Sequence, residues 1–454
     1  MTTLSMNLPY FMTALSILVV IYFILGYLSS RDLKDNHDYF LAGKDLGLPS
    51  VFFTLIATQI GGGMILGTSE EAYQSGIYGI LYSLGMCLGF IALGLGLGAR
   101  LRNLNVSTVA EIFEKKYKSK QLKSFASFLS IISMFGIFVA QVVASRRFML
   151  GLGMESELFF LFFWGFVIAY TVIGGLKAVV VTDTLQVGLV ILIFTGVFIT
   201  HSAGHNFSDY IANIGPFDEP SLSWTGLLIM PMCFSVIEQD IAQRCFSART
   251  PNTARNAAFL SGLFIFAFSF VPVFFGMLTR ISGIDIPEGA SPLIVYLQQS
   301  TGEFVFVLIV CGLLAAITST ADSLLCAISS NLAQDFSFEF IGLKRSLGLS
   351  QMITLILGIL GLIVAYFFNN ILALLIQSYE LPVSCLFVSV LYSLFTDKLD
   401  KRAASASVIV GLLSYIVFHV YTPKFMPPEI LTLGFSFVAY FIPHSLLDKK
   451  SLNV

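Results

Sequence analysis

Charged residues are scarce in this chain of 454 residues. Asp, Glu, Lys and Arg make up 11% of it, whereas an ordinary soluble domain carries about 25%. The net charge of −2 leaves none of the basic excess that marks proteins that bind nucleic acids. The low charge argues against a soluble globular protein and predicts no nucleic-acid partner.

The sequence also lacks the patterns of metal centres, disulfide frameworks and common enzymes. Its five histidines are scattered, without the spacing of a zinc site. Its six cysteines include no C-x-x-C pair and fall mostly in apolar runs, as small buried hydrophobic residues do. No G-x-x-x-x-G-K-[ST], H-E-x-x-H or G-x-S-x-G motif occurs. We therefore expect no enzyme, no organic cofactor and no direct use of ATP.

Apolar length is what the chain has in abundance. Hydrophobic residues make up 56%, the mean hydropathy is +0.85, and apolar stretches of about 20 residues recur, as in transmembrane helices. The first stretch lacks a basic segment and a cleavage site, so it is predicted to be a retained span rather than a signal peptide. The thirteen predicted spans are 9–29, 48–73, 78–100, 123–150, 156–174, 178–203, 223–246, 257–280, 303–333, 350–369, 371–395, 404–420 and 427–446.

Positive charges predict the orientation of these spans. If the N-terminus lies outside, the segments on the inside hold 21 of the 25 Lys and Arg residues. Cytoplasmic loops carry such an excess, so we expect an outside N-terminus and a cytoplasmic C-terminus in an inner or plasma membrane. The long outer segments 204–222 and 281–302 are expected to cap a cavity. A membrane protein without an energy-coupling domain is expected to be a channel or a secondary transporter.

Three consecutive glycines interrupt the second predicted span. Unwinding at Gly61–Gly63 would free the carbonyl groups of Ala57 and Ile60, and such groups must line a cavity or bind something at membrane depth. Free carbonyls and neutral hydroxyls suit a hard cation such as Na⁺, and Ser319 and Thr320 offer hydroxyls. A broken helix near the midplane is typical of transporters. The glycines also fit a close helix-packing surface, and the sequence alone leaves both interpretations open.

Ionisable residues inside predicted spans are candidates for function because they are costly there. Asp183 and Glu238 are the main candidates. Their structural alternative is a set of internal ion pairs with Lys177 and Arg244. Arg146, near the end of its span, has the alternative of reaching the outer surface.

Five stretches occur in the order typical of one transporter family. They are "YFLAGKDLG" (39–47), "ATQIGGGMILGTSEEAYQSG" (57–76), "GGLKAVVVTDTLQ" (174–186), "QRCFSART" (243–250) and "AAITSTADSLL" (315–325). Together they resemble the sodium/solute symporter family, which includes sodium/proline, pantothenate, sialic acid, glucose and choline transporters. The likeness covers most of the chain and weakens after about residue 396.

This resemblance implies an all-α membrane protein of about 13 transmembrane helices with the leucine-transporter fold. Two inverted five-helix repeats would span 48–203 and 223–396, joined by an outer loop at 204–222. One extra helix and a cytoplasmic loop (1–47) would precede them. Two helices and a tail (397–454) would follow. Transport would proceed by alternating access.

The resemblance also implies sodium sites. The family's conserved Na⁺ site would use the carbonyls of Ala57, Ile60 and Ala316 and the hydroxyls of Ser319 and Thr320. A second group would hold another Na⁺ ion or lie on its exit path. That group consists of Asp183, Asp322 and Ser323.

The substrate pocket departs from the family branch that the motif order resembles most, the choline transporters. That branch binds its quaternary ammonium in an aromatic cage, a cation–π arrangement. Its cage tryptophans align with Gln59 and Glu238 in this chain. The two tryptophans present, Trp164 and Trp224, are not at cage positions. Choline is therefore not the expected solute.

A polar pocket would instead suit an amino acid or another zwitterion. Glu238 would hold an amino group, and Gln59 or Arg146 a carboxylate. The substrate residues expected from the sequence are Gln59, Gly62, Gly63, Arg146, Glu238 and Gln239. The predicted function is a sodium-coupled symporter of a small polar solute, acting in lipid as a monomer or a loose oligomer. The alternatives are a proton-coupled transporter, with Asp183, Glu238 or Asp322 as proton carriers, and a transporter-derived solute sensor.

Overall fold

The computed structural model describes residues 8–31, 35–154, 156–203, 223–287, 290–337, 344–368, 370–421 and 426–451. In these ranges the chain forms helices and no strand, and its single β-type contact is an isolated bridge between Leu46 and Ala248. The loop at 204–222, predicted to cap a cavity, lies outside the described residues. The helices are α1 Leu8–Ser30, α2 Asn36–Leu41, α3 Leu48–Gln59, α4 Thr68–Ser75, α5 Ile80–Ala92, α6 Gly98–Asn103, α7 Glu111–Tyr117, α8 Lys120–Gly151, α9 Glu157–Ser202, α10 Trp224–Ile237, α11 Gln239–Ser247, α12 Pro251–Ile281, α13 Pro292–Ser300, α14 Glu303–Asp335, α15 Leu347–Val364, α16 Ile371–Ser393, α17 Lys401–Val420 and α18 Pro428–Ser451.

Nine helices of the described residues are long and apolar enough to cross a membrane, or ten if the bent pair α10 and α11 counts as one span. The expectation of a multi-pass membrane protein is thereby confirmed. The sequence predicted thirteen spans. The number of long helices is smaller because a helix such as α9 contains two of the predicted spans, and because α3 and the apolar part of α18 are too short to be counted.

The longest helix, α9, contains a break in its backbone although it is assigned as one helix. Its 46 residues would extend about 69 Å as a straight helix, more than twice the thickness of a bilayer core of about 30 Å. Gly175 interrupts it with φ +54° and ψ −155°, a conformation that residues with a Cβ avoid. The Tyr39 hydroxyl donates to the carbonyl of Val172 at 3.1 Å, just before the break. Two family-like motifs, "YFLAGKDLG" and the start of "GGLKAVVVTDTLQ", thus meet in space.

The helices approach one another through small residues, as in other membrane proteins. Gly85 of α5 lies against the Leu228 carbonyl of α10, and Gly276 of α12 lies against the Ser69 carbonyl of α4. The most enclosed span is α14, with 83% of its apolar window buried. Functional side chains on α14 therefore face other helices rather than lipid.

Basic residues gather at one end of the bundle, formed by residues 42–47, 100–119 and 247–256 and called here the basic end. The Arg249 amide donates to the Leu46 carbonyl at 2.8 Å, and the Leu46 amide donates to the Ser247 carbonyl at 3.1 Å. The Arg249 side chain also donates to Asp45 at 2.6 Å. This hydrogen bond and the nearby positive charge hold the pKa of Asp45 below its usual value. These contacts tie the segment before α3 to the end of α11.

Candidate functional site

The helix that begins with α3 breaks where the glycines predicted it. Ile60 has φ −80° and ψ 70°, and the Gly61 amide donates to the Gln59 carbonyl at 2.9 Å, which is an inverse γ-turn centred on Ile60. The Ala57 carbonyl therefore loses Gly61 as its helical donor. The chain is helical again from Gly62.

Two hydroxyls of α14 reach the carbonyl that the break frees. Ser319 Oγ and Thr320 Oγ1 each donate to the Ala57 carbonyl at 3.2 Å. The same hydroxyls lie 2.9 and 3.3 Å from the Ala316 carbonyl. Four of the five predicted Na⁺ ligands thus form one cluster, and Ile60 sits at the adjacent turn. All five residues are buried, with at most 4% of any of them exposed.

The chemistry of this cluster fits a sodium ion. Its oxygen atoms come from two backbone carbonyls and two hydroxyls, which are hard and uncharged. Hard monovalent or divalent cations of the main groups bind such oxygen ligands rather than nitrogen or sulfur. Rotation of the two hydroxyls would turn their oxygen lone pairs toward a cation and release the hydrogen bonds to the carbonyls.

Close packing requires the three glycines beside the break. A Cβ on Gly61 would lie 2.5 Å from Thr320 Oγ1, and a Cβ on Gly62 would lie 2.6 Å from the Cβ of Ala144. A Cβ on Gly63 would overlap Leu375. Both interpretations that the sequence left open therefore apply, because the backbone opens at a point where three helices press against it.

Gln141 of α8 is a site residue that sequence reasoning missed. Its Oε1 accepts the Gly62 amide at 2.8 Å, and the side chain is 2% exposed. It supplies an acceptor to the opened backbone. The available signal was an isolated amide within the apolar run "FVAQVVAS" of a predicted span, since polar side chains at such depth usually have a function.

A second break faces the first. Glu238 has φ −63° and ψ 123° between α10 and α11, which are bent by 41°. The Gln59 amide donates to Glu238 Oε2 at 3.5 Å. The predicted substrate residues Gln59 and Glu238 are therefore neighbours at the two helix breaks.

These two residues line a cavity together with Gly63 and Thr320. The free space is about 10 Å³, which is about the amount that one water molecule needs, so the cavity has no room for an organic solute in this conformation. One wall is aromatic, where Tyr82 and Tyr379 share a hydroxyl hydrogen bond of 2.8 Å. The lining residues are Thr58, Gln59, Gly61, Gly63, Met64, Tyr82, Met86, Ile137, Gln141, Glu238, Thr320, Leu375 and Tyr379.

Three of the six predicted substrate residues do not line the cavity. Gly62 is one of them, and its amide donates to Gln141. The side chains of the other two point elsewhere. Gln239 is fully buried and binds the loop before α7, accepting the Val109 amide at 2.7 Å and donating to the Ser107 carbonyl at 3.2 Å. Arg146 lies at the end opposite the basic end, 3.1 Å from Glu157. Neither is among the lining residues.

A buried arginine joins four helices between the cavity and the basic end. Arg244 of α11 donates to Ser323 Oγ of α14 at 2.5 Å and to Thr54 Oγ1 of α3 at 3.2 Å. It also pairs with Asp240 and lies 3.7 Å from Asp183 Oδ2 of α9. The internal ion pair of Asp183 is thus with Arg244 rather than Lys177.

Asp322, in the second predicted ion group, is held by a different neighbour. Its Oδ2 accepts the Tyr170 hydroxyl at 2.5 Å. One oxygen of Asp183 and one of Asp322 are buried without a hydrogen-bond partner among the described residues. Of the three predicted residues of this group, Asp183 and Ser323 contact Arg244. One carboxylate oxygen of Asp183 and one of Asp322 could therefore still bind a cation.

Known proteins resemble this chain in sequence and in fold. Over 427 residues the chain is 23% identical to the Caenorhabditis elegans protein named high-affinity choline transporter 1, covering 86% of this chain and 73% of the relative. Its fold is similar to that of a Na⁺-coupled sialic acid symporter solved in a substrate-bound outward-open state, with a TM-score of 0.76, 16% identity and coverage of 96% and 97% of the two chains. It is also similar to Mhp1, a nucleobase-cation-symport-1 transporter solved with bromovinylhydantoin bound, with a TM-score of 0.57, 15% identity and coverage of 89% and 92%.

These two structures have the leucine-transporter fold, and their likeness to this chain shows the same helical architecture. The family model of sodium:solute symporters matches residues 39–411, which is most of the chain. The resemblance inferred from the sequence motifs is thereby confirmed. The chain belongs to the sodium:solute symporter family and is a transporter, not an enzyme.

Proposed function

We propose that the protein is a sodium-coupled symporter that imports a small polar organic solute by alternating access. One observation carries this proposal: the break at Ile60 leaves the Ala57 carbonyl facing the hydroxyls of Ser319 and Thr320, beside a buried polar cavity. Membership of the family supports sodium use. Ile60 and Ala316 complete the proposed Na⁺ ligands.

The proposed architecture has thirteen spans and two inverted repeats, 48–203 and 223–396. The break at Gly175 divides α9 into two lengths suited to one crossing each, and α3 with α4 forms a further crossing interrupted at Ile60. We place the basic end in the cytoplasm because 21 of the 25 Lys and Arg residues belong to segments on that side. The N-terminus is then outside and the C-terminus inside, in a cell membrane.

The small volume of the cavity and the side-chain contacts on both of its sides support an occluded stage of the transport cycle. On the side of the basic end, Arg244 bridges α3, α9, α11 and α14. On the opposite side, Arg147 of α8 pairs with Glu70 of α4 at 3.2 Å. Alternating access would release these two sets of contacts in turn.

Asp183, Asp322 and Ser323 are proposed as a second Na⁺ site or as the exit path of the ion. The unpartnered oxygens of Asp183 and Asp322 support a cation there. Arg244, bonded to Ser323, would have to move if that hydroxyl served as a ligand. The sequence favoured a zwitterionic solute, and of its proposed partners Gln59 and Glu238 line the cavity whereas Arg146 does not.

A gradient experiment tests this function against proton coupling. The purified protein in proteoliposomes would receive an inward Na⁺ gradient or an inward pH gradient, with a panel of labelled amino acids, amines, sugars and organic acids outside. We expect the inward Na⁺ gradient to drive uptake. When K⁺ replaces Na⁺, we expect the pH gradient alone to drive none. Uptake that follows the pH gradient and ignores Na⁺ would reject the proposal in favour of Asp183, Glu238 or Asp322 as a proton carrier.

A further inference from the structure

The cavity contains a single charged side chain among its described lining residues. Glu238 supplies that charge, and no Lys, Arg or His lines the cavity. Its other polar lining groups are amides and hydroxyls, among them Gln59 and Gln141. The charge that the cavity presents to a solute is therefore negative.

Glu238 also lacks a positive partner within the described part of the chain. Only 6% of the residue is exposed, and its hydrogen bond to the Gln59 amide is long, at 3.5 Å. Its neighbour Arg244 is engaged by Asp240, Thr54 and Ser323. A carboxylate removed from water without a positive partner loses solvation free energy that nothing offsets. A cationic solute would offset that loss.

The surrounding charges favour a cation even when sodium is bound. Counted as ionised, Glu238, Asp183, Asp240 and Asp322 carry four negative charges, whereas Arg244 carries one positive charge. One Na⁺ at uncharged ligands leaves a surplus of two negative charges. A solute with one positive charge reduces this surplus.

Most hydroxyl donors of the cavity wall are engaged within the protein. One of the hydroxyls of Tyr82 and Tyr379 donates to the other, and the Thr58 hydroxyl donates to the Leu55 carbonyl at 2.8 Å. By contrast, the Glu238 carboxylate accepts only the long Gln59 bond in the described structure. The cavity thus offers a solute one negatively charged acceptor and only uncharged donors among its described lining residues.

We infer that the transported solute is a small organic cation with N–H donors, a protonated amine without a carboxylate, held by Glu238. This inference rests on the proposed function, because it names the solute of the same cavity. A solute carboxylate would lack the expected arginine, since Arg146 pairs with Glu157 at the far end of α8. A quaternary ammonium has no N–H to give Glu238, and the cage positions hold Gln59 and Glu238 instead of tryptophan.

Matched small molecules test this assignment by thermal shift. The purified full chain in detergent would be heated with ethanolamine, with glycine, which replaces the alcohol by a carboxylate, and with choline, which replaces the N–H groups by methyls. Each would be tested in NaCl and in KCl of equal ionic strength. We expect ethanolamine to raise the melting temperature in NaCl, since a ligand of the folded state stabilises it by mass action. Glycine and choline should have no such effect.

Two substitutions locate the effect. Glu238→Gln keeps the shape of the side chain and removes its charge, so the Kd for ethanolamine should rise at least tenfold. Glu380→Gln is the matched control, because Glu380 is also buried, with 4% exposed, but does not line the cavity. Its response to ethanolamine should equal that of the unsubstituted chain. If Glu238→Gln does not fold, the unsubstituted protein still tests the inference. Its responses to ethanolamine, glycine and choline show whether the solute needs N–H donors and lacks a carboxylate.

The outcomes separate this inference from the proposed function. Stabilisation by glycine or choline but not ethanolamine, or by none of the three, overturns the inference. An undiminished response of a folded Glu238→Gln variant to ethanolamine overturns it as well. In these cases a stabilisation by NaCl over KCl still supports sodium coupling. A response to ethanolamine that depends on Glu238 but is equal in NaCl and KCl supports the amine assignment and counts against sodium coupling.

Discussion

The proposed sodium site yields the sharpest prediction, because two hydroxyls can be removed with little change of shape. Thr320→Val replaces Thr320 Oγ1 by a methyl group, and Ser319→Ala removes Ser319 Oγ. Each substitution deletes one of the oxygen atoms that lie within 3.3 Å of the Ala57 or Ala316 carbonyls. We expect weaker Na⁺ binding in both variants.

The magnitude follows from comparing the protein with and without the ion. A polar contact with a charged group contributes about 1.5–3 kcal/mol, and a neutral hydrogen bond contributes about 1 kcal/mol. Without the ion each hydroxyl donates to Ala57, so each substitution also loses that neutral bond. The net loss for Na⁺ binding is about 0.5–2 kcal/mol, which corresponds to a change of roughly 2- to 30-fold in the equilibrium.

The assay is a Na⁺ titration of the melting temperature at constant ionic strength, with K⁺ as the replacement ion. Ser329→Ala is the matched control for Ser319→Ala, since Ser329 is also fully buried on α14 but bonds the Leu325 carbonyl at 2.6 Å. The control should titrate like the unsubstituted protein. Unchanged midpoints in both Thr320→Val and Ser319→Ala would refute the assignment of these hydroxyls as ligands.

Two further predictions concern the opened backbone and the buried arginine. Gly61→Ala should lower the melting temperature and the Na⁺ affinity together, because its Cβ would lie 2.5 Å from Thr320 Oγ1; Gly188→Ala, with no atom within 4 Å of its Cβ, should not. Equal effects of the two glycine substitutions would contradict the packing account. Arg244→Gln should speed maleimide labelling of Cys245, which is fully buried beside it, by loosening the basic end. A labelling rate that does not change would count against Arg244 as a closing contact.

Local sequence features were enough to predict the membrane class and a helix break beside the three glycines. They also singled out the Ala57 carbonyl and the hydroxyls of Ser319 and Thr320. The break could be anticipated because glycine lowers helix stability and because a carbonyl freed in lipid needs a partner. The hydroxyls of Ser319 and Thr320 stood out as adjacent polar groups in a long apolar span. Their meeting with Ala57 came from the family resemblance, since nothing in the sequence alone brings α14 to α3.

The rotation of each helix could not be predicted in the same way. Neighbours in a helix point about 100° apart, given 3.6 residues per turn. Glu238 lines the cavity and Gln239 does not, and Glu238 lies at the bend between α10 and α11, which the sequence did not predict. Gln141 was missed for a related reason, because its role depends on the backbone of another helix, the Gly62 amide.

The structure also relates two groups that the sequence treated separately. Thr54 and Ala57 are one helical turn apart on α3, and Thr320 and Ser323 are one turn apart on α14. The sodium cluster joins Ala57 to Thr320, and Arg244 joins Thr54 to Ser323. The same pair of helices is thus fastened twice, once by the proposed ion ligands and once by the arginine. Both contacts resist separation of α3 from α14, so we expect loss of sodium to weaken the arginine contacts. We also expect a sodium ion that moves toward the basic end to reach Asp183 next.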